Sequence, residues 1–120
     1  MRVYAQDKRL HQRKKLYYYL EVQDLNSNST IGRLVDIHVA GLLLITPSPL
    51  ETEQRLNLHI LIDQDLLEPG QESLVVQAVV RWCKQDINPD YYVAGLQFLQ
   101  INPEQEKVIE SLVRTIGFRQ

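Results

Sequence analysis

Several things this 120-residue sequence lacks narrow what it can be. It has one cysteine, one tryptophan and five glycines, and no apolar run approaches the ~18 residues a membrane span needs. A single cysteine, Cys83, excludes an internal disulfide and fits a reducing cytoplasm. Basic residues at the N-terminus are not followed by an apolar segment, so no secretory signal is expected. His11, His38 and His59 lack the spacing of metal ligands, and neither a metal nor another cofactor is expected. The chain contains no phosphate-cradling glycine loop, nucleophile elbow or zinc signature, which argues against an enzyme. Asp63 and Asp65 sit in a polar stretch with nothing apolar around them to tune a carboxylate for acid–base work. A net charge of −2 argues against a general nucleic-acid binder.

What is present is an ordinary globular composition, 44% apolar and 23% charged, at the length of a single domain. Charge is distributed unevenly. Residues 1–15 carry Arg2, Lys8, Arg9, Arg13, Lys14 and Lys15 against Asp7, a net of +5. The other 105 residues carry seven basic and fourteen acidic side chains, a net of −7. Residues 1–15 therefore read as a flexible basic arm that meets an anion, and 16–120 as the folded body.

Alternation of apolar residues predicts six strands: Leu16–Val22, Ile31–Asp36, Gly41–Thr46, Arg55–Ile62, Ser73–Trp82 and Tyr91–Leu99. Turn-forming stretches separate them, among them Asp24–Thr30, Pro47-Ser48-Pro49 and Asn88-Pro89-Asp90. Short strands at this spacing suggest a small barrel or sandwich, with Trp82 in its core. The tail has helical spacing at Val108, Ile109, Leu112, Val113 and Ile116. Asn102 serves as N-cap, Pro103 as first residue, Gln105 as the capping-box partner and Gly117 as the stop. One apolar stripe requires that this helix lie against the barrel or a partner, and the barrel is the expected cover.

Two features carry chemistry. The stretch Asp36-Ile37-His38-Val39-Ala40-Gly41 reads as the connection between two strands, with polar groups where a plain hairpin needs only turn formers. Gly41 there permits φ > 0 or a close approach of a flat ligand to the main chain. Upstream, Arg9 and Arg13 stand four residues apart, so their guanidinium groups share a face whether the arm is helical or extended. Guanidinium binds phosphate or the O6/N7 edge of guanine bidentately and stacks on bases, while a carboxylate accepts paired donors. Together they suggest a site for a small ligand that is anionic and rich in hydrogen-bond donors.

Arg-x-x-x-Arg, followed about two dozen residues later by Asp-x-x-x-x-Gly within GRLVDIHVAGLLLIT, resembles the PilZ domain family, whose pattern is RxxxR and then [D/N]xSxxG. Val79–Trp82 (VVRW) and Tyr91–Ile101 (YYVAGLQFLQI) are similar to that family's later strands. The family's serine is His38 here. The resemblance implies a mainly β fold, a six-stranded antiparallel barrel with a C-terminal α-helix. It also implies a cyclic di-GMP receptor of the bacterial cytoplasm that couples nucleotide binding to ordering of the arm and to a protein partner, acting on motility, biofilm or virulence. The implied ligand residues are Arg9, Arg13, Asp36, His38 and Gly41, with Lys8 and Arg33 as secondary phosphate contacts. A monomer or homodimer is expected. The alternative is a nucleotide-blind adaptor, for example of type IV pilus or flagellar machinery; a small-barrel nucleic-acid binder is more remote.

Overall fold

The structure is a computed structural model and describes residues 20–63 and 73–116. It contains β1 (Glu21–Asp24), β2 (Thr30–His38), β3 (Gly41–Thr46), β4 (Arg55–Ile60), β5 (Leu74–Gln85), β6 (Tyr92–Leu99) and α1 (Pro103–Ile116). All pairings are antiparallel, and the strands close in the order β1-β2-β3-β6-β5-β4 with β4 returning to β1. The expected six-stranded barrel with a C-terminal helix is the observed architecture. The arm with Lys8, Arg9 and Arg13 lies outside the described residues, as do residues 16–19 of the expected first strand.

Closure follows from the alternation. Each strand turns one set of side chains inward, and a six-strand barrel is narrow enough for those side chains to fill it. Leu34, Leu44, Leu58, Ile60, Val76 and Val80 form its centre and are buried to 1% exposure or less. Thr46 is also fully buried, and its hydroxyl donates to the Ser48 carbonyl at 2.7 Å, so the polar group is satisfied.

β2 and β5 run further than their sequence pattern indicated, and both carry a β-bulge. In β2 the register with β3 shifts between Leu34 and Asp36, leaving Val35 as the extra residue. In β5 the register with β6 shifts between Val80 and Trp82, leaving Arg81 as the extra residue. A bulge sets two residues against one on the partner strand, so alternation resumes in the opposite phase. Leu34 and Ile37 therefore both point inward, and Asp36 and His38 both point out. Asp36 belongs to β2 itself, and only Val39-Ala40 turn the chain between His38 and Gly41.

At the other end of the chain the capping box forms as the sequence indicates. The Gln105 amide donates to Oδ1 of Asn102 at 2.8 Å, and the Asn102 amide donates to Oε1 of Gln105 at 2.8 Å. Val108, Ile109 and Leu112 are buried, and the helix packs on β2 and β5. Glu104 and Glu106 in the first turn favour the positive end of the helix dipole. Among the described residues no helix is long and apolar enough to cross a membrane.

Candidate functional site

The phase change in β2 and β5 puts polar and aromatic groups on the outer face of four adjacent strands. Register runs Asp36–Leu43–Gly95–Trp82 in one row across β2, β3, β6 and β5, and His38–Gly41–Gln97–Val79 in the next. An open cleft of about 310 Å³ lies over these rows, lined by Asp36, His38, Gly41, Trp82 and Gln97 together with the bulge residue Arg81. Three inter-strand spacings separate Asp36 from Trp82, on the order of 14 Å between backbones.

Asp36, His38 and Gly41 are thus brought to one site. The Asp36 carboxylate accepts the Ile37 amide through Oδ1 at 2.8 Å, a local bond that orients the side chain. Among the described residues Oδ2 has no hydrogen-bond partner and is open to a donor. His38 is exposed, and its Nδ1 accepts the Ala40 amide at a long 3.4 Å. That contact engages Nδ1 and leaves Nε2 as the ring nitrogen that faces a ligand. Gly41 also meets a constraint that its sequence context did not show. A Cβ there would run into the Leu96 carbonyl, so the glycine serves the close approach of β3 to β6.

Arg33 does not line the cleft. It stands opposite Glu21 in the β1–β2 pairing, in the row that continues through Ile45, Val93 and Lys84. The Thr30 hydroxyl and the Gln23 amide hold the Glu21 carboxyl below its usual range, and the Arg33 charge adds to that effect. Lys8, Arg9 and Arg13 cannot be placed because they lie outside the described residues.

Trp82 corrects the sequence reading, which put it in the core. It is 41% exposed, its indole lies over Gly95, and Cys83 takes the inward position instead. The cause is the bulge: alternation from Leu74 through Val80 would carry Trp82 inside, and the extra residue Arg81 reverses the phase. A Cβ on Gly95 would collide with the indole, so glycine is what allows the ring to lie close to the strand. Lys84 Nζ sits 5.6 Å from the ring centroid, within cation–π range. The signal missed in the sequence was Gly95, since a glycine within a strand often marks a close approach from a neighbour. Arg81 and Gln97 were missed as well, because only the register brings them to the cleft that Asp36 lines. An acceptor carboxylate, a flat aromatic face and guanidinium and amide groups on one rim suit a planar ligand with both donors and anionic groups.

The sequence matches the family model of the PilZ domain over residues 7–115. Among curated proteins none matches it significantly. Solved structures of similar fold include the PilZ domain with c-di-GMP of YcgR from Escherichia coli, at a TM-score of 0.61 and 16% identity, covering 82% of this chain and 80% of that one. The Bacillus subtilis inhibitor of motility MotI/DgrA gives a TM-score of 0.62 and 19% identity, covering 82% of this chain and 45% of that one. The MrkH–c-di-GMP complex from K. pneumonia gives 0.60 and 16%, covering 81% of this chain and 45% of that one. At these identities the structural likeness speaks for the fold, while the sequence match reaches across both the arm and the Asp36–Gly41 motif. The chain belongs to the PilZ domain family.

Proposed function

We propose that this protein is a cyclic di-GMP receptor that binds the nucleotide between its basic arm and the cleft on the outer face of the barrel. The observation that carries this reading is the single register row that sets the Asp36 carboxylate and the Trp82 indole on one cleft. The open oxygen of Asp36 accepts donors from a guanine edge, and Trp82 offers a face on which a base stacks. His38 offers Nε2 as its hydrogen-bonding atom toward the nucleotide, in the place of the motif's serine hydroxyl. The YcgR domain and MrkH, two proteins of similar fold, carry c-di-GMP in their structures.

Chain connectivity supports a role for the arm. The Leu20 carbonyl accepts the Leu34 amide at 2.8 Å, so the chain enters the barrel beside the bulge that turns Asp36 outward. Arg13 is seven residues upstream, a span of at most about 25 Å, and Leu34 is two residues from Asp36. Arg13 is therefore within reach of the cleft. A nucleotide held by Arg9 and Arg13 on one side and Asp36 on the other ties the arm to the barrel and creates the surface that a protein partner reads. Motility, biofilm matrix or virulence control is the output this proposal implies for a bacterial cytoplasmic receptor.

Calorimetric titration of the full chain with cyclic di-GMP, beside an Arg9→Ala/Arg13→Ala double variant, tests the reading. Each charge-assisted contact contributes about 1.5–3 kcal/mol, so the double variant is expected to lose at least about 100-fold in affinity. Absence of heat from folded wild-type protein at high nucleotide concentration overturns it. A second reading, the nucleotide-blind adaptor, has Ile87 in its favour, which is 98% exposed between β5 and β6. A single apolar side chain on a hairpin end is ordinary on a protein surface, so the nucleotide reading stands first.

A further inference from the structure

Arg81 is the extra residue of the β5 bulge, and its guanidinium is gripped from two sides at the rim of the cleft. Nε donates to Oε1 of Gln97 at 2.7 Å. Nη1 donates to both carboxylate oxygens of Glu53, at 3.1 and 3.2 Å. Among the described residues Nη2 has no hydrogen-bond partner. The ion pair lies in solvent, with the two side chains 46% and 66% exposed, and an exposed pair of this kind adds little to stability. Its placement is nonetheless specific. Glu53 stands at φ 73°, a left-handed conformation uncommon for a residue with a Cβ, and its amide donates to the Val80 carbonyl at 2.7 Å. The Val80 amide in turn donates to the Gln54 carbonyl at 2.9 Å. The segment before β4 is thereby pinned to the residue that precedes the bulge, and the Glu53 carboxylate faces the guanidinium.

We infer that Arg81 is a further ligand-binding residue of the cleft and that Glu53 is its resident counter-ion, an internal anion that a phosphate of the ligand displaces. The inference rests on the nucleotide reading above. Guanidinium pairs with carboxylate and phosphate through the same fork geometry, so one anion can replace the other without moving the arginine. Gln97 holds Nε throughout the exchange and keeps the guanidinium plane oriented. Nη2 takes a phosphate oxygen first, and Nη1 follows as Glu53 swings into solvent. Because the ligand competes with a group already present, its apparent affinity falls by the fraction of molecules in which Glu53 occupies the site.

Competition makes the two substitutions act in opposite directions, whereas a pair that only braced the loop would make them act alike. The test is calorimetric titration of the full chain with cyclic di-GMP for wild type, Arg81→Ala and Glu53→Gln, with thermal melting of each. Arg81→Ala is expected to weaken binding about tenfold or more, the loss of one charge-assisted contact. Glu53→Gln is expected to tighten binding severalfold. Parallel weakening in both variants, or unchanged affinity in Arg81→Ala with wild-type melting, overturns the inference and leaves the receptor reading standing. Absence of binding by all three folded proteins overturns the nucleotide reading and this inference with it.

Discussion

At the scale of single residues, Trp82 shows how exposure and function join. The indole keeps 41% of its surface in solvent at the β5 end of the row that Asp36 begins on β2, which leaves its face open to a ligand. Gly95 beneath it and Lys84 beside it hold the ring in place. Base stacking on an aromatic side chain contributes about 1–3 kcal/mol, so Trp82→Ala is expected to weaken cyclic di-GMP binding by about 5- to 150-fold. The same substitution is expected to cost about 2 kcal/mol of urea stability, because the ring still buries more than half of its area. The chain has one tryptophan, so its fluorescence is a direct probe of the site, and nucleotide is expected to quench or shift it. Asp36 was legible from the sequence because its motif is contiguous. Trp82 was not, because nothing within its own strand shows that the alternation has slipped by one.

At the scale of elements, the two bulges and the capped helix make a contrast. The helix is written in local terms, with an N-cap, a capping-box partner and an apolar stripe all within fifteen residues. Asn102→Ala removes the side-chain acceptor for the Gln105 amide and leaves a helix end unsatisfied. It is expected to cost about 1 kcal/mol, a drop in melting temperature of about 4 °C for a domain of this size, read by circular dichroism. The bulges are of another kind. Val35 and Arg81 are extra only relative to partner strands, and no feature of either residue announces it. That is why the second strand was expected to stop at Asp36 and the fifth at Trp82, whereas β2 runs to His38 and β5 to Gln85.

At the scale of the whole molecule, one core supports every element. Leu112 on α1 is fully buried and belongs to the same cluster as Leu34 of β2 and Val80 of β5. Leu112→Ala is expected to cost about 2–5 kcal/mol, a large share of the ~5–15 kcal/mol of a typical domain, with the midpoint of urea unfolding shifted and its slope unchanged. Helix and cleft share β2 and β5, since α1 packs on the two strands that present Asp36 and Trp82. The helix is therefore part of the frame that holds the site's register.

The sequence by itself determined the number and order of the strands, the helix with its cap, a fold narrowed to a small barrel or a sandwich, and the paired arginine and Asp36–Gly41 motifs. Each of these is expressed over a few neighbouring residues, through alternation, capping or spacing. Only the tertiary structure decided which face Asp36 and Trp82 share, why Gly41 and Gly95 are glycines, and that Arg81 already holds an anion. Those depend on how strands far apart in the chain line up, and a shift of one residue in that register moves a side chain from the core to the surface.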